Sequence, residues 1–168
     1  MLAIALIVIG IALRFLPHTP NFTPVAAIAI FGGVYLNKKY SLIVPLVLMM
    51  ASDFFIGFHN VVLFTWGSFA LIALLSSRLK KHKNILGIAG ASIFSSLLFY
   101  LITNFGVWAT GWYPGTLKGL VNCYVMGLPF LRDFTVATFV YSFAFFGIYE
   151  FAAARIAGTK FSKVLLTN

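Results

Sequence analysis

The chain has 168 residues, 61% of them hydrophobic and 9% charged, with 12 Lys and Arg against 3 Asp and Glu and a net charge of +9. Soluble domains carry about 25% charged residues, so this composition, with a mean hydropathy of +1.01, excludes a soluble globular domain and points to an integral membrane protein. The basic surplus lies in short segments between apolar runs, where it reads as a topology signal, and no nucleic-acid partner is expected.

Apolar runs of about 15 to 22 residues predict helices that cross the hydrocarbon, which takes about 20 residues. The strict alternation of a membrane barrel is not seen. Six spans are expected, at roughly 2–16, 23–36, 41–58, 61–79, 85–107 and 133–154. The expected fold is therefore an all-α membrane protein, a six-helix bundle forming one integral domain over residues 1–168. The first run has no basic segment before it and no A-x-A-like cleavage site after it, so it reads as a span and not as a signal peptide.

The first two spans are short for a core about 30 Å thick, so either neighbours shield them or their connection dips below the surface. That connection is RFLPHTPNFTP, residues 14–24. It begins with Arg14 and carries His18 and Asn21 between three prolines, which stiffen the backbone and remove donors. Thr23 followed by Pro24 suits the start of the second helix, with Thr23 as N-cap and Pro24 in the first turn.

Asp53 falls about twelve residues into the third span, at a depth where a carboxylate faces the bundle interior or a water-filled cavity. Arg14 is its nearest basic partner by depth, so the two residues either form a structural ion pair or contribute to a ligand site. His59 and Asn60 turn the chain into the fourth span. Near the end of the fifth span, Tyr100, Thr103 and Asn104 recur at helical spacing and lead to Trp108, Trp112 and Tyr113. A buried amide at Asn104 needs a partner from another helix or from a substrate. The two tryptophans suit either an interfacial belt or ring stacking.

The stretch 106–132, GVWATGWYPGTLKGLVNCYVMGLPFLR, is expected to pack over the bundle as a lid or half-inserted segment. It holds the lone cysteine, Cys123, beside Asn122 and Tyr124. No base is apparent to make Cys123 a nucleophile, and three histidines scattered along the chain make no metal-site spacing. Asp133 is expected at the positive N-terminal end of the last span, and Glu150 near its other end in a structural or partner contact. Small residues at four-residue spacing, Ala29 and Gly33 and then Gly87, Ala91 and Ser95, suit close helix packing.

With six spans, nine basic residues share one side: Lys38, Lys39, Arg78, Lys80, Lys81, Lys83, Arg155, Lys160 and Lys163. Arg14, Lys118 and Arg132 lie on the other. The basic side is expected to be cytoplasmic, and both termini with it.

The stretches RFLPHTPNFTPVAAIAIFGGVYL, SDFFIGFH, TNFGVW and GLVNCYVMGLPFLRD resemble a family of small bacterial membrane proteins known only as a domain of unknown function. That family is in turn similar to the S components of energy-coupling factor (ECF) transporters. S components are six-helix subunits that bind vitamins or metal ions near the outer face and dock on a transmembrane coupling protein driven by two ATPases. The resemblance implies a substrate-binding membrane subunit for uptake of a vitamin-like nutrient, in the bacterial cytoplasmic membrane, without enzymatic activity or cofactor. It implies a site made by Arg14, His18, Asn21, Asp53, His59, Asn104, Trp108 and Tyr124. Ala3, Ala5, Gly10 and Ala12 depart from the Ala-x-x-x-Ala docking face that S components often carry on the first helix. The chain has no GxxxxGK[ST] motif, so any ATP-derived energy would come from other chains. The residues allow two other functional classes: a structural or assembly subunit of a larger membrane complex and, ranked last because no nucleophile-base-orienter set is recognisable, a membrane enzyme using Asp53, His18 or Cys123.

Overall fold

The computed structural model describes residues 1–17, 19–81 and 83–166, and among these every regular element is helical. Helix α1 covers Leu2–Leu13, α2 Val25–Tyr35, α3 Lys38–Ile56, α4 Val62–Ser76, α5 Ile85–Ala109 and α6 Leu117–Ile156; a single turn, α7, follows at Ser162–Leu165. A 3₁₀ segment, Ser77–Lys81, extends α4. Among the described residues four helices are long and apolar enough to cross a membrane: α3, α4 with its extension, α5 and α6. Helices α1 and α2 are apolar but shorter.

Helix α2 is the axis of the bundle. Its eleven residues have no polar face, a pattern that is stable only when a helix is enclosed on all sides, and all eleven are buried. Packing against α1, α3, α4, α5 and α6 encloses it. At 1.5 Å per residue α2 is roughly 16 Å long, about half the hydrocarbon thickness. A central element that stops halfway leaves space above its end.

Helices α2 and α4 approach closely at Gly33. A Cβ at Gly33 would lie 2.5 Å from the carbonyl oxygen of Ala73 and 2.8 Å from Cβ of Ser76. Because the first of these is backbone, α4 would have to move as a body. Gly33→Ala is expected to cost about 1–3 kcal/mol by overpacking, read as a lower midpoint in thermal unfolding of the detergent-solubilised protein.

At one end of α2 the Tyr35 hydroxyl donates to the Glu150 carboxylate, which also lies 3.8 Å from Lys83 Nζ. Lys83 sits over the Tyr35 ring, 4.8 Å from its centroid, and Lys80 Nζ donates to the Leu36 carbonyl at 2.8 Å. The Met1 amino group donates to the Leu165 carbonyl at 3.2 Å, so the described chain starts and ends together. The connections 14–24 and 57–61 lie at the opposite end, beyond the other end of α2.

Helix α6 corrects the reading of 106–132 as a lid with a last span at 133–154. Helix α5 continues to Ala109, a turn follows, and α6 starts at Leu117, making 40 residues and roughly 60 Å. The turn is punctuated by Gly111, at φ +87°, and Pro114. Thr116 caps α6 by accepting from the Gly119 amide at 3.1 Å. Pro129 removes one backbone donor inside the helix without ending it, as apolar helices packed on neighbours tolerate. Asp133 is accordingly in mid-helix, not at an N-terminus, where it accepts from Arg132 Nε at 3.0 Å.

Candidate functional site

A cavity of about 630 Å³ occupies the space above the N-terminal end of α2. Its floor includes Val25, and its walls come from every major element: Arg14 and Phe15 after α1, Met49 and Ile56 on α3, Thr65 and Phe69 on α4, Tyr100, Thr103 and Asn104 on α5, and Phe130 and Phe134 on α6. Asn21, Thr23 and His59 line it from the two connections.

The Arg14 wall is the most constrained. Arg14 is the C-cap residue of α1. Its Nη1 donates to Ser52 Oγ at 2.5 Å and to Met49 Sδ at 3.1 Å, and its Nη2 to Asp53 Oδ1 at 2.5 Å. The other carboxylate oxygen, Oδ2, accepts from Trp66 Nε1 at 2.6 Å. Asp53 is 1% exposed and does not line the cavity; Arg14 is 13% exposed and does. The network ties α1, α3 and α4 together at one level, and it presents an arginine whose charge is already balanced.

The apolar part is a stack of three phenylalanines, one from each of α4, α5 and α6. Phe69 and Phe99 have ring centroids 5.0 Å apart at 26°, and Phe99 and Phe134 4.3 Å apart at 20°. Such offset arrangements are favourable beyond their area burial. In this sequence 19 phenylalanines are spread over all spans, so nothing local marks these three.

Of the connection between α1 and α2, Arg14, Phe15, Asn21 and Thr23 belong to the cavity wall. Asn21 takes a left-handed conformation, φ +63°, which asparagine tolerates better than most residues. The Phe22 amide donates to the Thr19 carbonyl at 3.0 Å, and the Phe22 ring packs on Tyr141 of α6 with centroids 5.9 Å apart. Thr23 does not cap α2. Pro24 takes the cap position, and its carbonyl accepts from the Ile28 amide at 2.9 Å. The Thr23 hydroxyl oxygen is thereby left buried at the cavity wall without a hydrogen-bond partner.

Of the eight residues implied as a site, Arg14, Asn21, His59 and Asn104 line this one cavity. Asp53 lies behind Arg14. Trp108 and Tyr124 do not line it. Trp108 Nε1 donates to the Pro114 carbonyl at 3.0 Å, fastening the α5–α6 turn. The Tyr124 hydroxyl donates to the Leu101 carbonyl at 2.8 Å on the outer side of the α5–α6 pair. His18 lies outside the described residues. Cys123 is buried, its Sγ 3.3 Å from the Asn104 carbonyl oxygen. Among the described residues no cluster of His, Cys, Asp or Glu could hold a metal ion.

Trp66, Met49, Thr23 and the phenylalanine stack were not visible as site residues in the sequence. For Trp66 a weak signal exists: it follows Asp53 by thirteen residues across one turn, the separation at which two antiparallel helices return to the same level.

Residues 1–161 match DUF6580, a family of unknown function, and the chain belongs to that family. No curated protein and no solved structure matches it.

Proposed function

We propose that this DUF6580 protein is a substrate-binding membrane subunit for uptake of a small nutrient, with the cavity above α2 as its binding site. The observation that carries the reading is the half-length central helix. A buried helix that ends about 16 Å along the bundle axis, beneath a 630 Å³ space with converging polar groups and stacked rings, matches the size and lining of small-molecule sites. A bundle evolved only to hold itself together gains more by filling that volume with side chains.

On this reading the Lys-rich end faces the cytoplasm, both termini with it, in a bacterial cytoplasmic membrane, and the cavity takes substrate from outside. Arg14, Asn21, His59, Thr103 and Asn104 supply polar contacts, and Phe69, Phe99 and Phe134 hold an apolar body. The 14–24 connection, held by Phe22 on Tyr141, is the wall that moves to admit substrate. Release to the other side requires rearrangement, because α2 and the Tyr35, Glu150 and Lys83 cluster close the cytoplasmic end. The energy comes from a partner, such as a transmembrane coupling subunit with its ATPases, since this chain has no nucleotide-binding motif.

Native mass spectrometry of the protein extracted gently from its own host tests the proposal. A bound small molecule is the expected result, and Asn104→Ala is expected to weaken its binding by about 1–3 kcal/mol by leaving a polar partner unmet. A ligand-free protein that always carries the same stoichiometric protein partner would overturn it in favour of an assembly subunit.

A further inference from the structure

We infer that the cavity selects an uncharged, planar ring compound with an amide-type edge, and discriminates against carboxylate and ammonium ligands of the same shape. The inference rests on the cavity being the ligand site, as proposed above.

Charge is the first argument. Among the described residues lining the cavity, Arg14 is the only one of fixed charge, and Asp53 balances it at 2.5 Å. A charged ligand would enter a site whose one fixed charge is already compensated. Burying an unbalanced charge is far more costly than burying a hydrogen-bonded neutral group.

The unspent hydrogen-bonding groups give the second argument. At one wall, the Nε–H and one Nη2–H of Arg14 make no hydrogen bond to the described protein, nor does the Asn21 side chain. Arg14 offers only donors there, and the Asn21 amide both a donor and an acceptor. At the α4 and α5 walls acceptors prevail. Thr65 and Thr103 spend their hydroxyl protons on the carbonyls of Val61 and Phe99, at 3.2 and 2.8 Å. Asn104 Nδ2 donates to the Tyr100 carbonyl at 2.9 Å. What the two threonines retain toward the cavity is oxygen lone pairs, whereas Asn104 Oδ1 lies against α6, 3.9 Å from Cys123 Sγ. A ligand that meets both walls presents a carbonyl or ring acceptor to Arg14 and an N–H toward Thr65 and Thr103. The phenylalanine stack favours a flat ring as its body.

Three probes with one ring separate the possibilities: 2-naphthamide, 2-naphthoate and 2-naphthylmethylamine, measured by equilibrium dialysis against the protein in nanodiscs of zwitterionic lipid, with empty nanodiscs subtracted. The amide is expected to bind at least about tenfold tighter than either charged probe, the ratio for 1.4 kcal/mol. Thr103→Val, which keeps the side-chain shape and gives up only a bond to the Phe99 carbonyl of its own helix, is expected to weaken amide binding about three- to tenfold with little change in the thermal midpoint. Equal or tighter binding of the carboxylate or the ammonium compound overturns the inference, as does an undiminished affinity in Thr103→Val. If none of the probes binds a protein that carries a native ligand by mass spectrometry, this ligand class is wrong and the binding-subunit reading stands. A protein without any native ligand removes both.

Discussion

Replacing Asp53 with alanine is expected to unfold the bundle at a much lower temperature, whatever it does to a ligand. The substitution leaves the Arg14 guanidinium, only partly exposed at the cavity, without its counter-charge, and breaking a largely buried pair from one side costs about 3–5 kcal/mol. Three helices share the loss. Arg14 ends α1, Met49, Ser52 and Asp53 belong to α3, and Trp66 reaches in from α4 to the second carboxylate oxygen. Arg14→Met alone is expected to cost a similar amount, because it strands the carboxylate. The double variant Arg14→Met with Asp53→Leu removes both charges and should recover most of the stability, since well-packed apolar pairs often replace buried ion pairs without loss. Thermal size-exclusion of detergent-solubilised variants gives the three midpoints. Additive losses in the double variant, or an Asp53→Ala midpoint equal to that of the parent, would show that the pair does not hold these helices together. Trp66→Phe isolates the third member and should cost about 1–3 kcal/mol by leaving one carboxylate oxygen unmet.

This network also shows what a sequence of this kind can and cannot disclose. Depth along a span is nearly linear in residue number, so Arg14 and Asp53 could be paired by counting. Whether the pair serves structure or ligand depends on which way each side chain turns from its helix, and counting does not give that. The short second span was legible as an anomaly, an apolar run too brief for the bilayer, but its cause is tertiary. Helix α2 is short because it is enclosed on every side and ends at a cavity. Residues 117–132 misled for a related reason. Gly127, Pro129 and the charged pair Arg132–Asp133 signal a break in a soluble context, whereas in α6 the flanking apolar residues and the neighbouring α5 sustain the helix through them. The connection 14–24 was recognisable from its prolines and polar side chains. Its role as a wall depends on Asn21 adopting a left-handed conformation and on Phe22 reaching Tyr141, contacts more than a hundred residues apart in the chain.

The cavity itself leads to the second large effect. Thr103→Trp is expected to abolish ligand binding, by about a hundredfold or more on the scale where 1.4 kcal/mol is tenfold, while the protein stays folded with an unchanged or higher thermal midpoint. Thr103 lines the cavity from α5, and its hydroxyl bonds only to the Phe99 carbonyl of its own helix, so replacing it strands no distant partner. An indole placed there fills space that a ligand would occupy and gains dispersion contacts with the ring-rich lining. Loss of binding together with retained stability separates a ligand site from a packing defect, which would move both quantities the same way. Trp108→Ala and Tyr124→Phe supply the counterpart. Their polar atoms engage the Pro114 and Leu101 carbonyls outside the cavity, so both variants should keep the ligand. A folded Thr103→Trp protein that co-purifies with its full complement of ligand would place the binding site elsewhere. Loss of ligand in Trp108→Ala would move it toward the α5–α6 turn.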